Sequence, residues 1–213
     1  MSFLSYIFPR TIVRTSTSYN RDIRVIEDAG SYKLMVNGIH QSSEYIRKFW
    51  THAVTHLHVT EGMQCKNILY LGVAGGTIVH ILSKMFPRAQ MTGVDIDAVM
   101  IELGKKYFGL GQMQNLSFVT ADAKSYIGKT KGKFDLIVVD IYLARDLPDF
   151  LRDKKFLGDI RSKLLPHGHM LMNYLRDGEY KDKAEDLDEK LKDVFREVHH
   201  TNYLNNRFFL ARK

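Results

Sequence analysis

The sequence is poor in the residues that staple or stiffen a chain. It has one cysteine, Cys65, one tryptophan and four prolines among 213 residues. A single thiol excludes an internal disulfide framework and any multi-cysteine metal site. The expectation is therefore a reducing, cytoplasmic setting. Long hydrophobic runs are also missing. The opening MSFLSYIFPR has a short apolar stretch with no basic region before it, so it reads as neither a signal peptide nor a membrane span. There is no internal repeat, no low-complexity segment and no block of five like charges. His52 and His56 stand one helical turn apart with His58 nearby, but no HExxH pattern or supporting acid joins them, so no metal is expected.

What is present is ordinary globular material, 45% apolar and 26% charged, long enough to bury a substantial core. The net charge of +7 is compatible with an anionic partner such as nucleic acid. The basic residues are scattered, however, and no recognised nucleic-acid motif accompanies them; a solvated basic surface is the plainer reading. Residues 1–21 show no periodicity and read as an arm. Two strand-like runs then flank turn signals at residues 28–31 and at Asn37 and Gly38, a small β-hairpin unit. A helix begins at Ser42 or Ser43, with apolar residues at helical spacing from Tyr45 to Leu57.

From Asn67 the pattern alternates strand and helix. NILYLGV, AQMTGVDI, LSFVTAD, FDLIVVDIY and HMLMNYL are short apolar runs, as a parallel sheet covered on both faces requires. Helical segments separate them, including one near residues 150–165 and the charged KDKAEDLDEKLKDVF. The chain closes with two strand-like runs around Asn205 and Asn206, a hairpin signal. The fold class is α/β: a doubly wound, Rossmann-like methyltransferase fold. It has a mostly parallel seven-stranded sheet, a C-terminal antiparallel hairpin and a small N-terminal β-hairpin. The expected division is residues 1–60 for the arm, hairpin and first helix, and 61–213 for the nucleoside-binding domain.

Ligands of open α/β sheets sit at the carboxyl ends of the strands. The first such end is Gly72-Val73-Ala74-Gly75-Gly76-Thr77, where glycines allow close approach and a helix start presents free N–H groups. A dinucleotide fingerprint needs glycine at the first, third and sixth positions, and Ala74 and Thr77 break it. A tight strand-to-helix turn is the plain structural reading. The second end gives Asp95, at the offset of about 20 residues usual for a carboxylate that holds ribose hydroxyls. The third gives Asp122, placed to accept from an adenine amino group or to cap the next helix. The fourth gives Asp140, facing the same crevice. Three acids at three successive strand ends suit adenosine better than a dinucleotide.

These motifs, taken in order over residues 23–175, resemble the spermidine synthase (polyamine aminopropyltransferase) family. VNGIHQSSEY looks like its hairpin-to-helix motif, ILYLGVAGGT like its glycine loop, and VDIDAVMIELGKKYF, FVTADAKSYI and FDLIVVDIY like the strands that follow. The resemblance implies a donor site of Gln41, Gly72, Ala74, Gly75, Gly76, Asp95, Ile96, Asp122 and Ala123. It implies an acceptor site of Trp50, Tyr142 and Asn173, with Asp140 as the catalytic aspartate that takes a proton from the attacking amine. Trp50 also reads simply as a core tryptophan. The cofactor implied is S-adenosylmethionine or its decarboxylated form. The partner is a small-molecule acceptor, an amine, and the family's usual homodimer is a further expectation. No membrane association is expected.

Two departures bear on the reaction. The family's glycine loop carries an aspartate where this chain has Gly75, and its second amine-site acid is Leu143 here. The missing loop acid would pair with an ammonium and repel a carboxylate, so its loss favours the ordinary donor. The resulting expectation is methyl transfer by a spermidine-synthase-like transferase. Aminopropyl transfer and a non-catalytic nucleoside-binding protein are the alternatives.

Overall fold

The computed structural model describes residues 8–143 and 146–213. The five apolar runs form β5 (Asn67–Leu71), β6 (Gln90–Asp95), β7 (Leu116–Thr120), β8 (Phe134–Val139) and β9 (Leu164–Leu175), all parallel to their neighbours among these five. β10 (Glu197–Tyr203) and β11 (Asn206–Arg212) add an antiparallel hairpin against β9. The sheet order is β10-β11-β9-β8-β5-β6-β7. Successive side chains in a strand point to opposite faces. Leu69, Leu71, Ile137, Val139, Met170 and Met172 therefore join one core cluster, while Ile68, Tyr70, Leu136, Val138 and Leu171 join the other.

Helices cover both faces. α4 (Ala123–Lys129), α5 (Lys154–Lys163) and α6 (Tyr180–Val194) bury apolar residues in the first cluster. α1 (Glu44–His56) and α2 (Thr77–Met85) do so in the second. Ser43 caps α1, its Oγ accepting from the Ile46 N–H at 3.3 Å. The segment expected as one helix near residues 150–165 is a 3-10 turn at Asp149–Arg152 followed by α5. Among the described residues no helix is long and apolar enough to cross a membrane.

The N-terminal hairpin is the middle of a larger unit. β2 (Ile23–Asp28) and β3 (Ser31–Val36) turn at Ala29 and Gly30, and β3 turns into β4 (Ile39–Ser42) at Asn37 and Gly38. All four turn residues have positive φ, the geometry that matches strand twist in tight hairpins. Residues 1–7 of the expected arm lie outside the described residues. Arg10–Thr15 form a further strand, β1, antiparallel to β2. RTIVRT hides this because an edge strand leaves most of its side chains partly or fully exposed, so no apolar alternation marks it. The four-stranded sheet packs Ile23, Val25, Leu34 and Val36 against Met100 and Leu103 of α3 (Ala98–Tyr107).

The C-terminal hairpin also turns one residue earlier than its asparagines suggest. Tyr203 pairs with Asn206, so the turn is Leu204 and Asn205, and Leu204 carries the positive φ of 50°. Asn206 is instead a buried strand residue with side-chain partners of its own.

Candidate active site

The chain runs outward from β5 through β6 to β7, then returns to place β8 on the other side of β5. This switch point is where the strand ends part and a cleft opens. The Asp140 N–H donates to the Leu71 carbonyl at 2.9 Å, which fixes Asp140 directly beside the glycine loop. Gly72, with φ +88°, passes so close that a Cβ on it would lie 2.1 Å from the Asp140 carbonyl oxygen. No other residue fits there.

Asp95 ties the loop to the end of β6. One carboxylate oxygen accepts from the Val73 and Ala74 N–H groups at 3.1 and 3.2 Å, and the other accepts from the Asp97 N–H at 3.0 Å. Burial pushes its pKa up, and those three N–H groups pull it back. Asp122 caps α4 by accepting from the Ser125 N–H at 2.8 Å. A strand-end cleft gathers Gln41, Gly72, Ala74, Asp95, Ile96, Asp122, Ala123, Asp140 and Tyr142 on one surface. Of the expected donor-site residues, Gly75 and Gly76 stand apart. Their Cβ positions point away from the cleft, Gly75 at Ser42 and Gly76 at Leu110.

Three residues escaped sequence reasoning on this side. Asp97 is buried; one of its oxygens accepts from Val99 N–H, while the other accepts from Thr17 Oγ1 at 2.6 Å and Asn20 Nδ2 at 2.9 Å. The segment after β1 is thereby strapped over the cleft, with Tyr19 and Asn20 in its wall. The second acid of GVDID, at a helix N-cap, was the available signal for Asp97. Nothing local announces Tyr19 or Asn20.

Beyond Gln41, Asp140 and Tyr142 lies a second, aromatic cavity of about 660 Å³, within the range of small-molecule sites. Those three residues line both spaces, so they form the junction. Tyr45, Phe49, Trp50, Asn173, Asp177 and Asn206 face the aromatic cavity. A chain of hydrogen bonds runs along its floor. Asn173 Nδ2 donates to Asp140 Oδ1 at 3.0 Å, and Asn206 Nδ2 donates to Asn173 Oδ1 at 2.8 Å and to the Tyr142 hydroxyl at 2.9 Å. Trp50 is 1% exposed, packs edge-on against Phe208, and its side chain pulls the Asp140 pKa down. It is thus both a core residue and a partner of the carboxylate. Leu143 is 47% exposed and lines the strand-end cleft, not this cavity.

Burial pushes the Asp140 carboxyl up to about 6, against the pull of Asn173 and Trp50 and with a further push from the charge of Asp95. Tyr142 is also pushed up, chiefly by burial and then by the charge of Asp140. A carboxylate poised near neutrality, at the meeting point of two clefts, can orient and accept a proton.

Comparison with known proteins agrees with this architecture. The chain is 30% identical over 111 residues to a polyamine aminopropyltransferase of Vibrio vulnificus, covering 51% of this chain and 37% of that one. It is 26% identical over 140 residues to the eEF1A lysine and N-terminal methyltransferase homolog of Drosophila melanogaster, covering 55% of this chain and 21% of that one. The matched region is thus well under half the length of either relative. A crystal structure of a probable spermidine synthase from Corynebacterium glutamicum superposes with a TM-score of 0.79 at 16% identity, covering 94% of this chain and 79% of the other. The family model described as "Methyltransferase domain" matches residues 64–208. The chain belongs to the methyltransferase-domain family, as a divergent member that resembles the spermidine synthases.

Proposed function

We propose that the protein is an S-adenosylmethionine-dependent transferase that methylates an amine. One observation carries the choice of methyl transfer. Gly75 is packed against Ser42, so the glycine loop has neither an acid nor room for one at that position. The residues present fit the ordinary donor. Gly72 lets the loop backbone close on Asp140 and still line the cleft, Asp95 and Asp122 face the cleft as acceptors for ribose and adenine, and Ile96 and Ala123 offer apolar walls. Bound there, the sulfonium supplies an electrophilic carbon.

Asp140 supports the other half of the reaction. An alkyl amine has a pKa of about 10, so it arrives protonated and without a free lone pair. Asp140, ionised above a pKa of about 6, accepts a hydrogen bond from that ammonium and takes up its proton. Asn173 and Trp50 hold the carboxylate in place. Tyr45, Phe49 and Tyr142 line the path to it with ring surface, which suits an alkyl ammonium. The two relatives named above carry amine acceptors in their names, which favours the same class here.

The test is incubation with methyl-labelled S-adenosylmethionine and a panel of amines that includes putrescine and lysine-containing peptides. Labelled amine together with S-adenosylhomocysteine is the expected result. Aminopropyl transfer is the second reading, and Asp177 favours it. It supplies the aromatic cavity with a second carboxylate, as a diamine would use. Spermidine and methylthioadenosine formed from putrescine and the decarboxylated donor, with no labelled amine, would replace the first reading with the second.

A further inference from the structure

We infer that Asn206 is a positioning residue that turns the Asn173 amide so that its donor end faces Asp140. The inference deepens the proton-accepting role proposed above for Asp140 and rests on it. The two ends of an amide have nearly the same shape, so hydrogen bonds decide which way it points. Asn173 and Asn206 are 8% and 9% exposed, so protein groups supply those bonds. Across the β9–β11 pair Asn206 is opposite Leu175 and Phe208 is opposite Asn173. The two asparagines are therefore diagonal neighbours on one face of the sheet.

Both hydrogens of Asn206 Nδ2 are committed, one to Asn173 Oδ1 at 2.8 Å and the other to the Tyr142 hydroxyl at 2.9 Å. With its oxygen held there, Asn173 presents Nδ2 to Asp140 Oδ1, at 3.0 Å. An ionised carboxylate accepts and cannot donate. The chain from Asn206 through Asn173 to Asp140 thus runs in the one direction that suits the charged form. Turned the other way, Asn173 would set its own oxygen against Asp140 and favour the protonated form. Other titratable groups surround Asp140. Asp95, Asp97 and Asp122 share the strand-end cleft with it, His40, Tyr45 and Asp177 share the aromatic cavity, and Tyr142 shares both. Of these, Asp95 opposes the charge, while the neutral Asn173 and Trp50 favour it. Replacing Asn206 leaves every one of these groups in place, so what changes at Asp140 is the hold on the Asn173 amide.

The experiment titrates Asp140 by carboxyl carbon NMR in the wild type, Asn206→Leu and Asn206→Ala, with the signal identified by its absence from Asp140→Asn. Leucine fills the space and alanine opens it, so the two variants differ in packing while both lose the donor. In both, the Asp140 titration should move up by about half to one pH unit. With methyl-labelled S-adenosylmethionine and the amine best labelled in the panel above, the acid limb of kcat should move with it. At pH 7 kcat should fall about three- to tenfold, with KM for the amine within about threefold of the wild type. Added to Asp140→Asn, Asn206→Leu should lower the rate by less than about twofold more. The inference fails if either variant folds and keeps the wild-type titration, because Asn206 would then serve packing alone. It also fails if the titration moves down, or if Asn206→Leu costs as much on the Asp140→Asn background as on the wild type. A titration that shifts as expected, beside an Asp140→Asn rate loss of less than about tenfold, upholds Asn206 as the orienting residue and overturns the proton-accepting role instead.

Discussion

The strand-end cleft and the aromatic cavity meet at Asp140 but are built in different ways. In the cleft, Gly72, Asp95, Asp122 and Asp140 lie at or just past the ends of β5, β6, β7 and β8, so each is placed largely by its own strand. In the cavity, Gln41, Trp50, Asn173 and Asn206 come from β4, α1, β9 and β11. Their positions depend on contacts between residues far apart in sequence. The first arrangement rests on the strand ends alone. The second rests on four elements brought together by packing, so a substitution in any one of them reaches the cavity.

Asp140 belongs to both sides, and replacing it gives the largest effect. Asp140→Asn should lower transfer by roughly 10²–10⁴-fold while donor affinity, read by calorimetry, stays within a few-fold. A loss of less than about tenfold would remove Asp140 as the proton acceptor. The wild-type rate should fall as pH drops through about 6, since only the ionised carboxylate accepts a proton. Stability runs the other way. The folded state holds this proton more tightly than the unfolded chain, so Asp140 contributes stability at low pH that is lost as pH rises through about 6. At pH 7 the buried charge costs at most roughly 3 kcal/mol, less where cavity water reaches it. Asp140→Asn should therefore melt higher than the wild type at pH 7, and the difference should vanish near pH 4.

Substitutions confined to one side should separate the two regions. Asp95→Asn removes a carboxylate that accepts three backbone N–H bonds and should weaken donor binding by roughly 10–100-fold. It also removes a charge that raises the Asp140 pKa, so the acid limb of the rate profile should move below its wild-type position. An acid limb that moves upward would refute that electrostatic link. Asn206→Leu leaves the Asn173 Oδ1 and the Tyr142 hydroxyl without their donor and should cost about 1–3 kcal/mol by chemical denaturation. Donor affinity should be unchanged and acceptor turnover reduced. Equal losses in both would mean that the two regions do not act separately.

The same contrast explains what could be read from the sequence. The seven-stranded sheet and the strand-end acids were legible because apolar periodicity and strand ends are local signals. Asp122 illustrates this, as an N-cap whose position in LSFVTAD fixed its place in the cleft. The edge strand β1, with its partly exposed side chains, gave no such signal. Asn206 was read as a turn residue because an Asn-Asn pair suits positive φ. Its burial against Asn173 and Tyr142, 33 and 64 positions away, draws it into the strand and leaves Leu204 in the turn. Ser42 likewise looked like a candidate helix start. That it fills the space at Gly75 is visible only once β4 lies against the loop.

Backbone strain gives the smallest test, and it too has one example on each side. Ala74 in the loop and Leu204 at the hairpin tip both hold positive φ, at 47° and 50°. For an L-residue that conformation costs roughly 1–2 kcal/mol, and asparagine tolerates it better than leucine. Ala74 lies against the Asp95 carboxylate, so its strain is part of the loop that would carry the donor. Leu204 is 60% exposed at the mouth of the aromatic cavity, so packing does not offset its strain. Leu204→Asn should therefore stabilise the protein by about 0.5–1 kcal/mol, a rise of roughly 1–4 °C in melting temperature. Donor binding should be unaffected. If the acceptor's affinity falls at the same time, the strained leucine is retained for contact with the acceptor. If affinity is unchanged, the strain serves only to set the register that carries Asn206 into the cavity.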